Sequence, residues 1–95
     1  MNIEITARHY EPSDRVKQHV EGELQQLKLF ENLITSCKVI LEKAKDGEQV
    51  EITLRVAGKN LLTKVNSDDM IKSIDQAVSK LERQLKKFKE KRYNR

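Results

Sequence analysis

Apolar and polar residues alternate from Asn2 to Arg8, putting Ile3, Ile5 and Ala7 on one side and Glu4, Thr6 and Arg8 on the other. A period of two is that of a strand, and the polar second side means that only one face is covered. Pro12 disfavours helix before it, Ser13 is a good N-cap, and Asp14 sits where the helix dipole favours negative charge, so a helix is predicted to start there. Val16, Val20, Leu24 and Leu27 recur at steps of four, four and three, with Phe30 at the stripe's edge and Asn32 as the exit. Gly22 falls opposite this stripe and weakens the helix by about 1 kcal/mol relative to alanine, leaving the helix dependent on packing.

Alternation returns from Ile34 to Lys45, with Cys37, Val39 and Leu41 facing one way and Lys38, Ile40 and Glu42 the other. Asp46-Gly47 is a hairpin signal, after which Val50, Ile52, Leu54 and Val56 alternate with Glu51, Thr53 and Arg55. Gly58 marks another turn, and Leu61, Thr63 and Val65 suit a short last strand. Ser67 is expected to cap a second helix, with Asp68 and Asp69 in its first turn and Met70, Ile74, Ala77, Val78, Leu81, Leu85 and Phe88 along one stripe. That helix should reach about residue 91 and fray from Lys91 to Arg95. The prediction is an α+β, two-layer domain of order β-α-β-β-β-α, with both helices on one face of a four-stranded sheet and the other face wet.

Length changes this picture little: 95 residues fit one domain around one modest core, and neither a repeat nor a linker interrupts residues 1–95. With 36% charged residues and 4% aromatics, the core has to be built from Leu, Ile and Val. No stretch has the length and apolarity of a membrane span, the first ten residues do not read as an export signal, and the single Cys37 cannot form an internal disulfide. A cytoplasmic location is therefore expected, with no membrane partner.

The charge distribution adds more. Residues 1–67 hold ten Lys or Arg against ten Asp or Glu, residues 68–95 nine against five, and residues 80–95 eight against two. On a helical wheel Lys72, Lys80, Arg83, Lys87 and Lys91 form a band on the flank opposite the core stripe. A solvated face usually mixes signs, whereas here only Glu82 and Glu90 interrupt eight positive charges, so the row points to a polyanion, nucleic acid above all.

Catalysis finds little support. His9 and His19 lie in different elements, read as surface residues, and are taken to lack Cys, Asp or Glu at metal-ligand spacing. Cys37 reads as a small buried hydrophobe, Asp68 and Asp69 as capping residues, and the three isolated glycines form no phosphate cradle. Tyr10 and Tyr93 are weak candidates for stacking on a base. Neither an enzyme, nor a metal, nor a cofactor, nor a small-molecule substrate is expected.

The stretch from Asp69-Met70 to Lys91 resembles the second helix of the ribosome hibernation-promoting factors, the family that includes the ribosome-associated inhibitor and the sigma-54 modulation proteins. Asp69-Met70, Ile74, Lys80-Leu81-Glu82-Arg83-Gln84-Leu85 and Lys87 stand where that family's motif has them. Fainter matches are Ile3-Glu4-Ile5-Thr6 in the first strand and Gln18-His19-Val20, Leu24 and Leu27 in the first helix. The resemblance implies the same order of elements. It further implies binding to the small ribosomal subunit in the tRNA and mRNA channel, with repression of translation in resting cells. Lys80, Arg83, Lys87 and Lys91 become implied rRNA contacts.

In some bacteria such proteins also favour ribosome dimers together with a separate modulation factor. The short type, without a C-terminal dimerisation domain, is the form implied. Where the family often has Lys-Leu-Glu-Lys late in the first helix, this chain has Gln26-Leu27-Lys28-Leu29, which shifts the expected RNA contact toward the second helix. Ala7 replaces a common glycine and Ile71 a usual tyrosine.

Two other readings compete. A general double-stranded RNA-binding module also places two helices on a sheet and reads shape through phosphates and 2′-hydroxyls. A partner-binding domain would use the polar sheet face, where Ile40 and Leu62 are its only apolar support.

Overall fold

The computed structural model describes residues 2–93 and shows the predicted order of elements. Strand β1 (Asn2–Arg8) leads to helix α1 (Asp14–Leu24), followed by β2 (Ile34–Ala44), β3 (Gly47–Val56), β4 (Lys59–Ser67) and α2 (Met70–Tyr93). The sheet order is β1-β2-β3-β4, with β1 parallel to β2 and the other two pairings antiparallel. A parallel pair needs a crossover, which α1 and the turns after it supply. The two remaining connections are tight hairpins.

Ser13 caps α1 as the sequence predicts, its hydroxyl accepting from the Val16 backbone N–H at 3.2 Å. The helix does not continue as α to the expected exit, because Gln25–Phe30 forms a 3-10 helix. The spacing explains this: Leu24, Leu27 and Phe30 are three apart, and a 3-10 helix with three residues per turn puts all three on one face. All three are buried, together with Val20.

In β2 both Ile34 and Cys37 are buried although their parity differs. Ile34 pairs with Val56 and Ser36 with Arg55, so the strand carries one residue more than its partner and a bulge returns both side chains to the core face. The first hairpin turn is shifted by one position from the expected Asp46-Gly47. Ala44 pairs with Gly47, leaving Lys45 and Asp46 as the two loop residues. Gly47 opens β3 at φ +150, a conformation that side chains rarely adopt. In the second hairpin Val56 pairs with Lys59, and Ala57 and Gly58 both have positive φ, as a type I′ turn demands.

Asp69, not Ser67, caps α2. The Asp69 carboxylate accepts from the Lys72 N–H at 3.2 Å, and its carbonyl receives the first helical bond from Ser73 at 2.9 Å. Ser67 serves a different purpose, since its hydroxyl lies 2.6 Å from that of Ser73, which donates to the Glu48 carbonyl at 2.7 Å. Ser73 is fully buried, so this chain of hydroxyls satisfies a polar group in the core and pins the start of α2 to the sheet.

One core lies between the layers, with Val39, Leu41, Val50, Ile52, Leu54 and Val56 from the sheet facing Ile74, Ala77, Val78, Leu81 and Leu85 of α2. Ile3 and Ile5 stay half-buried, because beside β1 the cover opens into a groove lined also by Ala7, Pro12, Lys17, Glu21 and Gln25. Helix α2 remains regular to Tyr93, past the expected onset of fraying at Lys91; fraying of Asn94 and Arg95 lies outside the described residues.

The glycines give a paired test of this packing. A Cβ on Gly47 would meet Asn66 Oδ1 at 2.0 Å and the Ser67 carbonyl at 2.8 Å, whereas one on Gly22 would meet nothing within 4 Å. Urea unfolding should show Gly47→Ala losing about 2 kcal/mol of stability. Gly22→Ala should gain roughly 0.5–1 kcal/mol.

Candidate nucleic-acid interface

The stripe of α2 that enters the core decides which side chains face outward. With Ile74, Ala77, Val78, Leu81 and Leu85 all inaccessible, Lys72, Lys80, Arg83, Lys87 and Lys91 are all exposed, as the wheel predicts. Lys80 to Lys91 spans about 16 Å at the rise of an α-helix. Shallow depressions separate the cations, one lined by Lys80, Arg83, Gln84 and Lys87, the next toward the N-terminus by Asp75, Gln76, Ser79, Lys80 and Arg83.

The cations of α2 are not equivalent. Lys72 lies 3.8 Å from Asp68, and Lys86 lies 3.8 Å from Glu82, so a carboxylate offsets part of each charge. Lys89 lies over the Phe30 ring at 5.9 Å. Among the described residues, Lys80, Arg83, Lys87 and Lys91 have no carboxylate in ion-pair range. The structure therefore separates Lys72 from the rest of the predicted row.

Topology adds one cation that the helical wheel misses. Helix α2 runs back along the edge strand β4, so Lys59 lines one depression with Leu61, Gln84, Lys87, Phe88 and Lys91. Gln84 donates a long hydrogen bond, 3.4 Å, to the Leu62 carbonyl and tethers the middle of α2 to that edge. No pattern within α2 could reveal Lys59, because only the pairing order of the sheet brings it there.

The outer face of the sheet looks different. Register places Glu4 beside Lys38, Arg8 beside Glu42 and Glu51 beside Lys64, so opposite charges face each other across neighbouring strands. Only Arg55 lacks such a counterpart, and it donates to the Asn60 side chain at 3.2 Å. Leu62, 54% accessible, is the one large exposed apolar residue of this face. Hence the basic surplus of the C-terminal segment is displayed by α2 and its β4 neighbour rather than by the sheet surface.

Comparison with known proteins gives the family and the fold. Residues 3–93 match the family described as Sigma 54 modulation protein / S30EA ribosomal protein. The ribosome hibernation promoting factor of Azotobacter vinelandii is 33% identical over 95 residues, covering 100% of this chain and 89% of that one. A ribosomal subunit interface protein from Coxiella burnetii superposes with a TM-score of 0.88 at 27% identity, covering 94% of this chain and 98% of the other. The N-terminal domain of Protein Y from Thermus thermophilus gives 0.83 at 30% identity, covering 93% and 99%.

The remaining candidate groups have other surroundings. Lys43 sits 5.0 Å from the centroid of the Tyr10 ring, so one ring face is already taken, while the Tyr93 side chain lies outside the described residues. Burial, with the Glu48 charge second, raises the Tyr10 hydroxyl above its ordinary pKa. His9 is exposed and lies 3.4 Å from Glu42. His19 corrects the reading of an unaccompanied histidine: Glu23 lies one turn away on the same helix, and Asp75 reaches it from α2. The spacing of four between His19 and Glu23 was visible in the sequence, whereas the contribution of Asp75 needs the helix pairing.

Cys37 is buried as expected, and burial pushes its thiol up to about 11. The thiolate being the reactive form, a maleimide at pH 8 should label the native chain no faster than the chain unfolds, and label it readily in denaturing urea.

Proposed function

The chain belongs to the Sigma 54 modulation protein / S30EA ribosomal protein family, and from that premise we propose that it is a cytoplasmic ribosome hibernation factor. In this reading it occupies the tRNA and mRNA channel of the small subunit, holds rRNA through α2 and so represses translation in resting cells. The observation that carries the reading is the row Lys80, Arg83, Lys87 and Lys91, free of carboxylate partners among the described residues and extended by Lys59. Such a row suits a phosphate backbone, because each cation that contacts RNA releases a condensed counterion, and the favourable entropy of release drives association.

Lys72 is assigned a lesser part, since Asp68 competes with phosphate for it. Within the row, Arg83 can hold a phosphate with two parallel N–H groups, whereas the lysines act as point charges. Contacts of this kind position a protein on RNA without reading its sequence, so the site is recognised by the shape of the channel and the placing of its phosphates.

Five phosphate contacts should give a salt slope of about −3.5 to −4.5 and a loss on the order of a hundredfold in affinity between ~50 and ~200 mM salt. The double variant Arg83→Glu/Lys87→Glu should no longer pellet with ribosomes while keeping a cooperative thermal transition. Pelleting equal to that of the unaltered chain would overturn the assignment. Competition identifies the mode: tRNA and mRNA should displace a channel binder, whereas displacement by excess plain duplex would mark a general double-stranded RNA module.

A further inference from the structure

Beside the N-terminal end of the basic row, where Asp75 shares a depression with Lys80 and Arg83, α1 and α2 are joined by a polar cluster that the ribosome reading does not use. His19 Nε2 lies 2.6 Å from Asp75 Oδ1 and 3.7 Å from Glu23 Oε1. One donor atom from each of the three residues lies within 4.8 Å of the others. We infer that His19, Glu23 and Asp75 form a binding site for a divalent transition-metal ion, which clamps the first helix to the second.

The donor set decides the class of ion. One imidazole nitrogen and two carboxylate oxygens suit a borderline ion such as Zn²⁺, whereas Mg²⁺ prefers oxygen donors and keeps much of its water. Tetrahedral Zn²⁺ with bonds of about 2.0–2.1 Å separates its ligand atoms by about 3.3–3.4 Å. The observed 2.6 and 3.7 Å lie on either side of that separation, so small side-chain rotations admit the ion. The two carboxylates supply the charge that a dication balances.

The backbone under the site is firm. Val20 and Leu24 beside the ligands on α1, and Ile74 beside Asp75 on α2, are all inaccessible. Gln26 donates to Glu23 Oε2 at 2.6 Å, orienting that carboxylate with Oε1 toward His19, which is the part played by an outer hydrogen-bonding group at a metal centre. Among the described residues no Lys or Arg forms an ion pair with Glu23 or Asp75. Burial first, then the hydrogen bond and charge of the neighbouring Asp75, hold Glu23 above the ordinary carboxylate range, with His19 opposing. Three protein ligands leave one coordination position for water.

The test is independent of ribosome binding. ZnCl2 titrated calorimetrically into the full chain should bind at one equivalent with micromolar or tighter affinity, and raise the unfolding temperature by several degrees. Co²⁺ in its place should give visible absorption bands, while millimolar Mg²⁺ should give neither heat nor stabilisation. His19→Ala and Asp75→Asn should each weaken Zn²⁺ binding by about tenfold or more and remove the thermal shift. Circular dichroism verifies that each variant is folded, and Asp75→Asn decides if His19→Ala is not. No saturable binding below ~100 μM, or binding unchanged in the folded variants, would overturn the site and leave His19 and Asp75 as a helix-to-helix hydrogen bond.

Discussion

A helix of 24 residues lying on a sheet can bury only one stripe, and which stripe α2 buries governs the surface of this protein. Three contacts with the sheet fix its rotation and slide. The hydroxyl chain from Ser67 through Ser73 to the Glu48 carbonyl holds its first turns, the insertion of Val78, Leu81 and Leu85 holds its middle, and there Gln84 also reaches the Leu62 carbonyl. The opposite flank is then bound to carry Lys80, Arg83, Lys87 and Lys91 outward. A helix rotated by one residue, about 100 degrees, would bury Lys80 or Glu82 in place of Leu81, at a cost no surface interaction could offset.

Charge is distributed in two different ways on the two sides. Across the sheet, register puts acid beside base, so the outer face carries many charges and little net field. Just before α2 Asp69 caps the helix and Asp68 faces Lys72, while most of its bases lie in the second half, interrupted only by Glu82 and Glu90. This polarity suits the helix itself, since cations are favoured near the negative end of the dipole. One arrangement of residues thus serves both helix stability and display of a positive surface.

The strands, the helices and their order are legible in the sequence because burial on one face writes a period of two or of three to four into it. What escapes is set by contacts between elements. The bulge at β2 breaks parity between Ile34 and Cys37 and shows itself only when β2 is laid against β3. Ser67 and Asp69 are both good capping residues, and the Ser67 hydroxyl is engaged by Ser73 and by the Asp69 backbone, leaving the cap to Asp69. The 3-10 segment was half visible in the step of three from Leu24 to Leu27, but a step of three also fits an α-helix. The exposed row on α2 could be read from the wheel, whereas Lys59 joins it only through the position of β4.

The first helix completes the account of why α2 has to dominate the basic surface. In the stretch Gln26-Leu27-Lys28-Leu29, Leu27 is committed to the core and Gln26 to Glu23, leaving Lys28 as its one cation. Leu29 is 85% accessible, an apolar side chain at a position that a basic residue would fill at no packing cost. The 3-10 geometry that brings Leu24, Leu27 and Phe30 into line turns Leu29 outward, so its exposure follows from the same packing that anchors the crossover. Through the Phe30 ring, which Lys89 overlies, that crossover buttresses the C-terminal half of α2 while adding little charge of its own. The two helices therefore differ in kind: the first links and supports, and the second presents the charge.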